Sequence, residues 1–279
     1  MRVSLLLLLT LNGLAFARAQ SPKSAPAGLE LYSFRDQFKA DVPGTMAKVK
    51  AFGFREVEVA GLYGMSAAEF RKLLDKNGLK AVSMGAGYEE LNNSVPKIVA
   101  DAKALGAKYV VCAWVPHTGD TFTQRDADDA IDVFNTAGKL LAENGLTFCY
   151  HPHGYEFQPY QNGTFFDYLA ANLDPKYANF EMDVFWVKHP GQDPVALLQK
   201  YPKRFLLSHL KDRRPGTPGN QAGKADDDTN VTLGQGDVGI AAFMKAARKS
   251  SIKYHFIEDE SPRSMEQMGP SLDFLRGVK

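Results

Sequence analysis

LTFCYHPHGYEF, residues 146–157, decides how this chain is read. Along a strand, successive side chains point to opposite faces. Thr147, Cys149, His151 and His153 then share one face, and Leu146, Phe148 and Tyr150 share the other. The second face is bulky and apolar, suited to packing beneath helices. The first is small and polar and ends in two imidazoles. Pro152 has no N–H to offer a sheet, which suits a strand's last residue. The segment is therefore expected to be a barrel strand with His151 and His153 at its C-terminal end, facing inward.

Seven similar runs surround it: GLELYSF (28–34), REVEVAG (55–61), LKAVSMG (79–85), KYVVCAW (108–114), NFEMDVF (179–185), RFLLSHL (204–210) and YHFIEDE (254–260). Helical patterns lie between them. SAAEFRKLLDKNG (66–78) and DADDAIDVFNTAGKLLAENG (126–145) both end in Asn-Gly, a helix stop signal, and Ser66 and Asp126 are expected N-caps. Eight strand–helix cycles predict an α/β fold, a single-domain (β/α)8 TIM barrel, with its chemistry at the C-terminal ends of the strands. An open doubly wound sheet is the second choice, and no glycine-rich nucleotide loop supports it.

The expected domain spans residues 20–279. Residues 1–19 read as a secretory signal peptide. Arg2 is followed by an apolar run around Leu5–Leu14, and Ala17-Arg18-Ala19 offers a cleavage site after Ala19. The apolar run is too short to span a bilayer. A secreted or periplasmic location is expected. With 33 basic against 32 acidic residues, a nucleic-acid or anionic-membrane partner is not expected. Cys112 and Cys149 fall in apolar runs and read as buried thiols, with a disulfide as the alternative in an exported protein.

The parity test extends to the later strands. Glu181 and Asp183 alternate against Met182 and Val184. His209 and Lys211 alternate against Ser208 and Leu210. Glu258 shares a face with Phe256 and Tyr254. Strands five to eight thus each deliver a metal-competent side chain near the same end: His151, Asp183, His209 and Glu258. A lone strand histidine is ordinarily a core residue, and a lone strand-end carboxylate is ordinarily a cap. Four such residues on four adjacent strands point to one divalent metal, because buried charge needs a partner. The mixed nitrogen and oxygen set suits Mn²⁺ first, then Zn²⁺, Co²⁺ or Fe²⁺.

GLELYSFRD (28–36), GFREVEVAG (53–61), AEFRKLLDKNGLKAVS (68–83), YHPHGYEF (150–157), HLKD (209–212) and LGQGDV (233–238) together resemble the sugar phosphate isomerase/epimerase family, the xylose-isomerase-like TIM barrels. The resemblance runs from about residue 28 to the end. It implies one divalent metal held by Glu, Asp, His and Glu from strands five to eight. Asp183, His209 and Glu258 match the last three. His151 stands where the family has Glu, either as fourth ligand or as an acid–base group. A second departure is SMGAGY (83–88), where related sequences often carry a histidine.

The expected chemistry is proton abstraction beside a carbonyl on a keto-sugar or glycoside, with Glu258 or His153 as base and Lys211 binding an enolate or hydroxyl oxygen. Isomerisation or epimerisation is placed first. Elimination by a lyase acting on a 3-keto-glycoside uses almost the same apparatus and is placed second. A non-catalytic carbohydrate-binding barrel and an abasic-site nuclease are the readings from other classes. Glu58, Trp114, Glu156 and Trp186 are expected substrate contacts, with anchoring of strand one as the alternative for Glu58, core packing for the two tryptophans and orienting a histidine for Glu156. His117 is a weak pocket candidate, and His189 and His255 read as structural or exposed. Residues 211–238, rich in Gly, Pro and Asp, read as a mobile lid after strand seven. Arg213 and Arg214 in that segment suit a phosphate, but a non-phosphorylated substrate is preferred for an exported protein.

Overall fold

The computed structural model describes residues 26–278. The expected signal peptide and its cleavage point lie outside the described residues. Eight parallel strands close into a barrel: β1 (Gly28–Glu30), β2 (Glu56–Val59), β3 (Lys80–Gly85), β4 (Tyr109–Cys112), β5 (Thr147–Tyr150), β6 (Ala178–Asp183), β7 (Phe205–Leu210) and β8 (Tyr254–Ile257). Each pairs with its neighbours in sequence, and β8 closes on β1.

The hydrophobic pattern explains the layering. Apolar residues on the outward face of each strand, such as Leu29, Val57, Phe148, Phe180 and Phe205, join helix residues such as Phe70, Phe134 and Phe166 in one continuous core. Inside the barrel, Val82, Val111, Cys149, Leu207 and Phe256 form a separate apolar plug. Gly28 lets β1 close over this plug, because a Cβ there would lie 2.6 Å from the Phe256 ring. Cys112 and Cys149 are buried free thiols, and burial pushes Cys112 up to about 12. The polar ends of the inward faces therefore stand on an apolar floor.

Two strands, β1 and β6, are shorter than the sequence suggests for a shared reason: a side chain at the strand end captures backbone N–H groups. β1 stops at Glu30, whose carboxylate accepts from the Tyr32 N–H, and Leu31–Phe34 turns into a 3₁₀ helix. β6 stops at Asp183, which caps the helix Val184–Lys188. Ser66 and Glu69 form a capping box on Ala67–Asn77. Asp126 is not an N-cap: the helix begins at Gln124, Thr123 caps it, and Asp126 is the third residue of that capping box.

Residues 211–238 are not a bare loop. Asp212–Arg213 pairs antiparallel with Asn230–Val231. The Asp212 carboxylate accepts from the N–H groups of Gly234, Gly236 and Val238, which folds LGQGDV back against β7. Gln221 and Asn220 tie the loop tip to the Phe157 carbonyl and to His189.

Candidate metal centre and active site

Strand register sets the positions. Asp183 is level with His209, His209 with Phe256, and Glu30 with Glu58. His151 extends the β5 ladder by donating its N–H to the Cys112 carbonyl at 2.8 Å. His153 is carried by the following turn. Both Glu156 oxygens lie 3.1 Å from the His153 N–H, and Oε2 also accepts from the Gly154 N–H at 2.8 Å. The Tyr150 hydroxyl donates to the same carboxylate. Glu156 is fully buried and does not line the cavity, which corrects the expectation of a substrate contact. Its contacts are those of the alternative role, holding a histidine through its backbone. Burial lifts its pKa to about 7 against these donors.

The four expected ligands fall into two close pairs. His209 Nδ1 is 3.2 Å from Glu258 Oε2, and His151 Nε2 is 3.7 Å from Asp183 Oδ2. Asp183, His209 and Glu258 present ligand atoms within 4.8 Å of one another. Asp183 divides its work: Oδ1 accepts from the Phe185 and Trp186 N–H groups at 2.7 and 3.1 Å, leaving Oδ2 free.

Behind these residues lie Glu181 and Glu30, which sequence reasoning did not place in the site, and Glu58, which it expected as a substrate contact. Glu181, one inward step below Asp183, is 3.5 Å from His151 Nδ1 and 3.3 Å from His209 Nε2. Glu58 is 3.0 Å from His209 Nε2 and accepts from the Ser83 hydroxyl. Glu30 stands beside Glu58. The parity of β6 put Glu181 on the inward face, and that was the available signal.

The electrostatics reflect burial and neighbours. Burial, reinforced by His209 and His153, pushes His151 well below the ordinary histidine value, so it is neutral. Burial, with Lys211 nearby, lowers His153 to about 4. Burial opposes a charge on His209, but Glu181 and Glu258 outweigh it and hold its pKa high. Glu258 is kept well below the carboxylate range, despite burial, by Lys211 and His209. Burial raises Asp183 to about 7, and burial with Glu58 pushes Glu181 well up.

Whether a cation fits is decided by orphaned atoms. His151 Nε2, Asp183 Oδ2 and both Glu181 oxygens are buried without a hydrogen-bond partner. Buried polar atoms are almost always paired. Ligands about 2.1 Å from one ion lie roughly 3.0–3.5 Å apart, which matches the His209–Glu258 separation of 3.2 Å. Asp183, His209 and Glu258 fit one divalent cation, and His151 Nε2, 3.7 Å from Asp183 Oδ2, stands beside them as a candidate fourth ligand. The far nitrogen of each imidazole then faces a carboxylate, the usual support for a metal-bound histidine.

The remaining candidates fall around this cluster. Lys211 is fully buried, 2.8 Å from Glu260 and 3.2 Å from Glu258, and does not line the cavity, which corrects the expectation that it binds a substrate oxygen. It is not paired with Asp212, whose carboxylate holds the loop. Burial disfavours its charge, but Glu258 and Glu260 raise its pKa above the ordinary lysine value, so it stays a cation. Its Nζ lies 5.3 and 5.2 Å from the Phe185 and Trp186 ring centres. Trp186 packs on His153 at 4.9 Å. His151, His153, His209, Glu258, Trp186 and Trp114 all line one cavity of about 840 Å³, and loop residues Gly223–Ala225 cover part of its mouth. Arg213 is occupied by Asp237, and Arg214 donates to the Asp228 carbonyl. His117 does not line the cavity; it braces Trp114 from behind at 4.9 Å. His189 is buried against Asn220.

A family model described as the xylose isomerase-like TIM barrel matches residues 46–278. The chain belongs to this family. The inosose dehydratase of Geobacillus thermodenitrificans is 34% identical over 187 residues, covering 58% of this chain and 60% of that protein. The chain thus spans about three fifths of the length of such curated relatives. A sugar phosphate isomerase/epimerase structure from Parabacteroides distasonis is 26% identical, with a TM-score of 0.72 over 91% of this chain and 99% of that one. The IOLI protein, solved with a bound zinc atom, shares the fold at 13% identity, with a TM-score of 0.70 over 91% of this chain and 99% of that one.

Proposed function

We propose that this protein is an exported, divalent-metal-dependent lyase of the dehydratase type. It removes the proton beside the carbonyl of a cyclic keto-polyol or keto-glycoside and expels the β-substituent. The observation that carries the reading is the buried set His151, Asp183, His209 and Glu258, in which His151 Nε2 and Asp183 Oδ2 have no hydrogen-bond partner, beside the free Nδ1 of His153. The relation to inosose dehydratases favours elimination over the isomerisation that the sequence put first. Likeness along nearly the whole chain to a sugar phosphate isomerase/epimerase keeps isomerisation or epimerisation as the second reading.

A bound divalent cation supplies Lewis-acid polarisation of a carbonyl. Mn²⁺ suits the two-nitrogen, two-oxygen set, with Zn²⁺ as the alternative. The chain's own groups do the rest. His153 Nδ1 is buried and unpartnered, and its neutral imidazole accepts the α-proton. Lys211 lies behind Glu258 and Glu260, where its charge keeps Glu258 ionised. Trp186 fixes the His153 ring and shields it from water. Glu58 lines the cavity and accepts hydroxyl hydrogen bonds.

The test is proton NMR of the metal-loaded protein in D₂O with a 3-keto-glucoside or an inosose. Loss of the α-proton with release of the β-substituent supports elimination. Deuterium incorporation with the substituent retained supports the isomerase reading. Tight binding with no exchange at all removes both.

A further inference from the structure

The proposed chemistry uses the cavity floor and leaves its mouth without a role. Among the described residues, three large hydrophobic side chains are well exposed: Tyr32, Trp114 and Leu140. Two of them, Tyr32 and Trp114, line this one cavity. An exposed aromatic ring lining a cleft offers a flat apolar face to a ligand.

Trp114 is 40% exposed yet firmly held. The His117 ring packs against it at 4.9 Å with an interplanar angle of 30°, and the Tyr155 ring meets it edge-on at 4.9 Å. Both supports are themselves pinned to one residue. Tyr155 Oη accepts from the Val115 N–H, and His117 Nδ1 sits 2.8 Å from the Val115 carbonyl. The loop after β7 also rests here. A Cβ on Gly223, at φ +67°, would lie 3.4 Å from Trp114 and 2.8 Å from Tyr155. A preset indole face costs little ordering when a flat ring lands on it.

Size and charge narrow what lands there. At about 840 Å³ the cavity is in the upper part of the roughly 300–1,000 Å³ range of small-molecule sites, more than a single sugar ring requires. Its lining carries Glu30, Glu58, Glu89, Glu90, Glu258 and Glu260 against one lysine, Lys224, which is paired with Asp120 at 2.6 Å. At the floor these carboxylates are offset by Lys211, His209 and a bound cation, which leaves Glu89 and Glu90 to disfavour an anionic ring nearby.

We propose that Trp114 is the platform of a second subsite at the mouth, which stacks a neutral ring joined through oxygen to the sugar reacting at the floor. The substrate class is then a neutral glycoside carrying an aromatic or sugar ring, and this rests on the elimination reading of the same site. In that reaction the α-proton goes to the base and its electron pair forms the C=C bond. The C–O pair leaves with the ring, which takes one proton and departs as the hydroxy compound.

The test separates the subsite from the chemistry, because it needs no bond to break. Calorimetry with the Mn²⁺-loaded full chain compares phenyl β-D-glucoside, methyl β-D-glucoside and phenyl β-D-glucuronide. Phenyl glucoside is expected to bind about tenfold more tightly than methyl glucoside, and the glucuronide more weakly than phenyl glucoside. Trp114→Ala, with unchanged metal content, is expected to erase the phenyl advantage while methyl glucoside binding stays. Equal affinities for phenyl and methyl glucoside in the wild type, which needs no variant to fold, overturn the subsite. So does a phenyl advantage that survives Trp114→Ala. A phenyl preference together with no elimination from a 3-keto-glucoside or an inosose keeps the subsite and removes the lyase reading; turnover of an inosose without a phenyl preference does the reverse.

Discussion

Glu181→Gln probes whether the metal centre is built as the geometry indicates. Glu181 touches no expected substrate position. It sits 3.5 Å from His151 Nδ1 and 3.3 Å from His209 Nε2, on the far side of both imidazoles. The glutamine keeps the shape and removes the charge that orients both rings and raises their basicity. Loss of such a supporting carboxylate weakens metal binding by about 10–100-fold. At a metal concentration of about 100 Kd, the cation stabilises the wild type by about 2.7 kcal/mol. A tenfold weaker site at the same concentration leaves about 1.4 kcal/mol. For a domain of this size the difference of about 1.3 kcal/mol lowers the metal-induced gain in Tm by roughly 3–5 °C. Thermal scans with and without Mn²⁺, together with competition against a fluorescent chelator, read both quantities. If Glu181→Gln binds Mn²⁺ within twofold of the wild type and keeps the full gain in Tm, Glu181 does not support the histidines and the proposed ligand set loses its rationale.

Three further outcomes are expected. The Asp183→Asn, His209→Ala double variant should lose stoichiometric metal by elemental analysis, whereas His151→Glu, which restores the family's usual residue, should keep it; retention of one equivalent in the double variant would place the site elsewhere. His255, lowered to about 4 by burial, stabilises the fold fully above its unfolded pKa of about 6.5, and that contribution is lost as pH falls toward 4. Urea titrations should therefore show wild-type stability dropping by about 2 kcal/mol more than His255→Gln between pH 7 and 5, and parallel curves would refute this. Amide exchange across residues 213–237 should slow when a glycoside is bound; equal protection with and without ligand would remove the lid role.

Much of the barrel was legible because its signals are local. Alternation in 146–153 separated Phe148 and Tyr150 from Cys149 and His151, and the structure puts the first pair in the outer core and Cys149 in the plug. Strand ends were less legible, because they depend on where one side chain meets a backbone N–H. Glu30 and Asp183 read as strand residues by pattern, yet each terminates its strand by capping the helical turn next in the chain. Thr123 lost to Asp126 in the sequence for a similar reason. Both residues belong to the same capping box, and pattern alone does not say which is first.

The candidate site shows a different limit. Parity gives the face of a residue but not its depth, and depth decides between ligand and support. Asp183 and Glu181 share the inward face of β6. Glu181 is two residues lower, and one pleat is enough to move it from the cation's side of the imidazoles to the far side. Glu156 shows the opposite case. Its place in GYEF left open a substrate contact or the orienting of a histidine, and the turn at Gly154 folds its carboxylate under the backbone, where three N–H contacts and Tyr150 consume it. Both cases reflect the cost of leaving a buried carboxylate unpaired. Glu156 meets that cost with backbone donors. Glu181 has none, so only groups outside its own strand can meet it, and the groups within reach are the two histidines that a bound cation would hold in place.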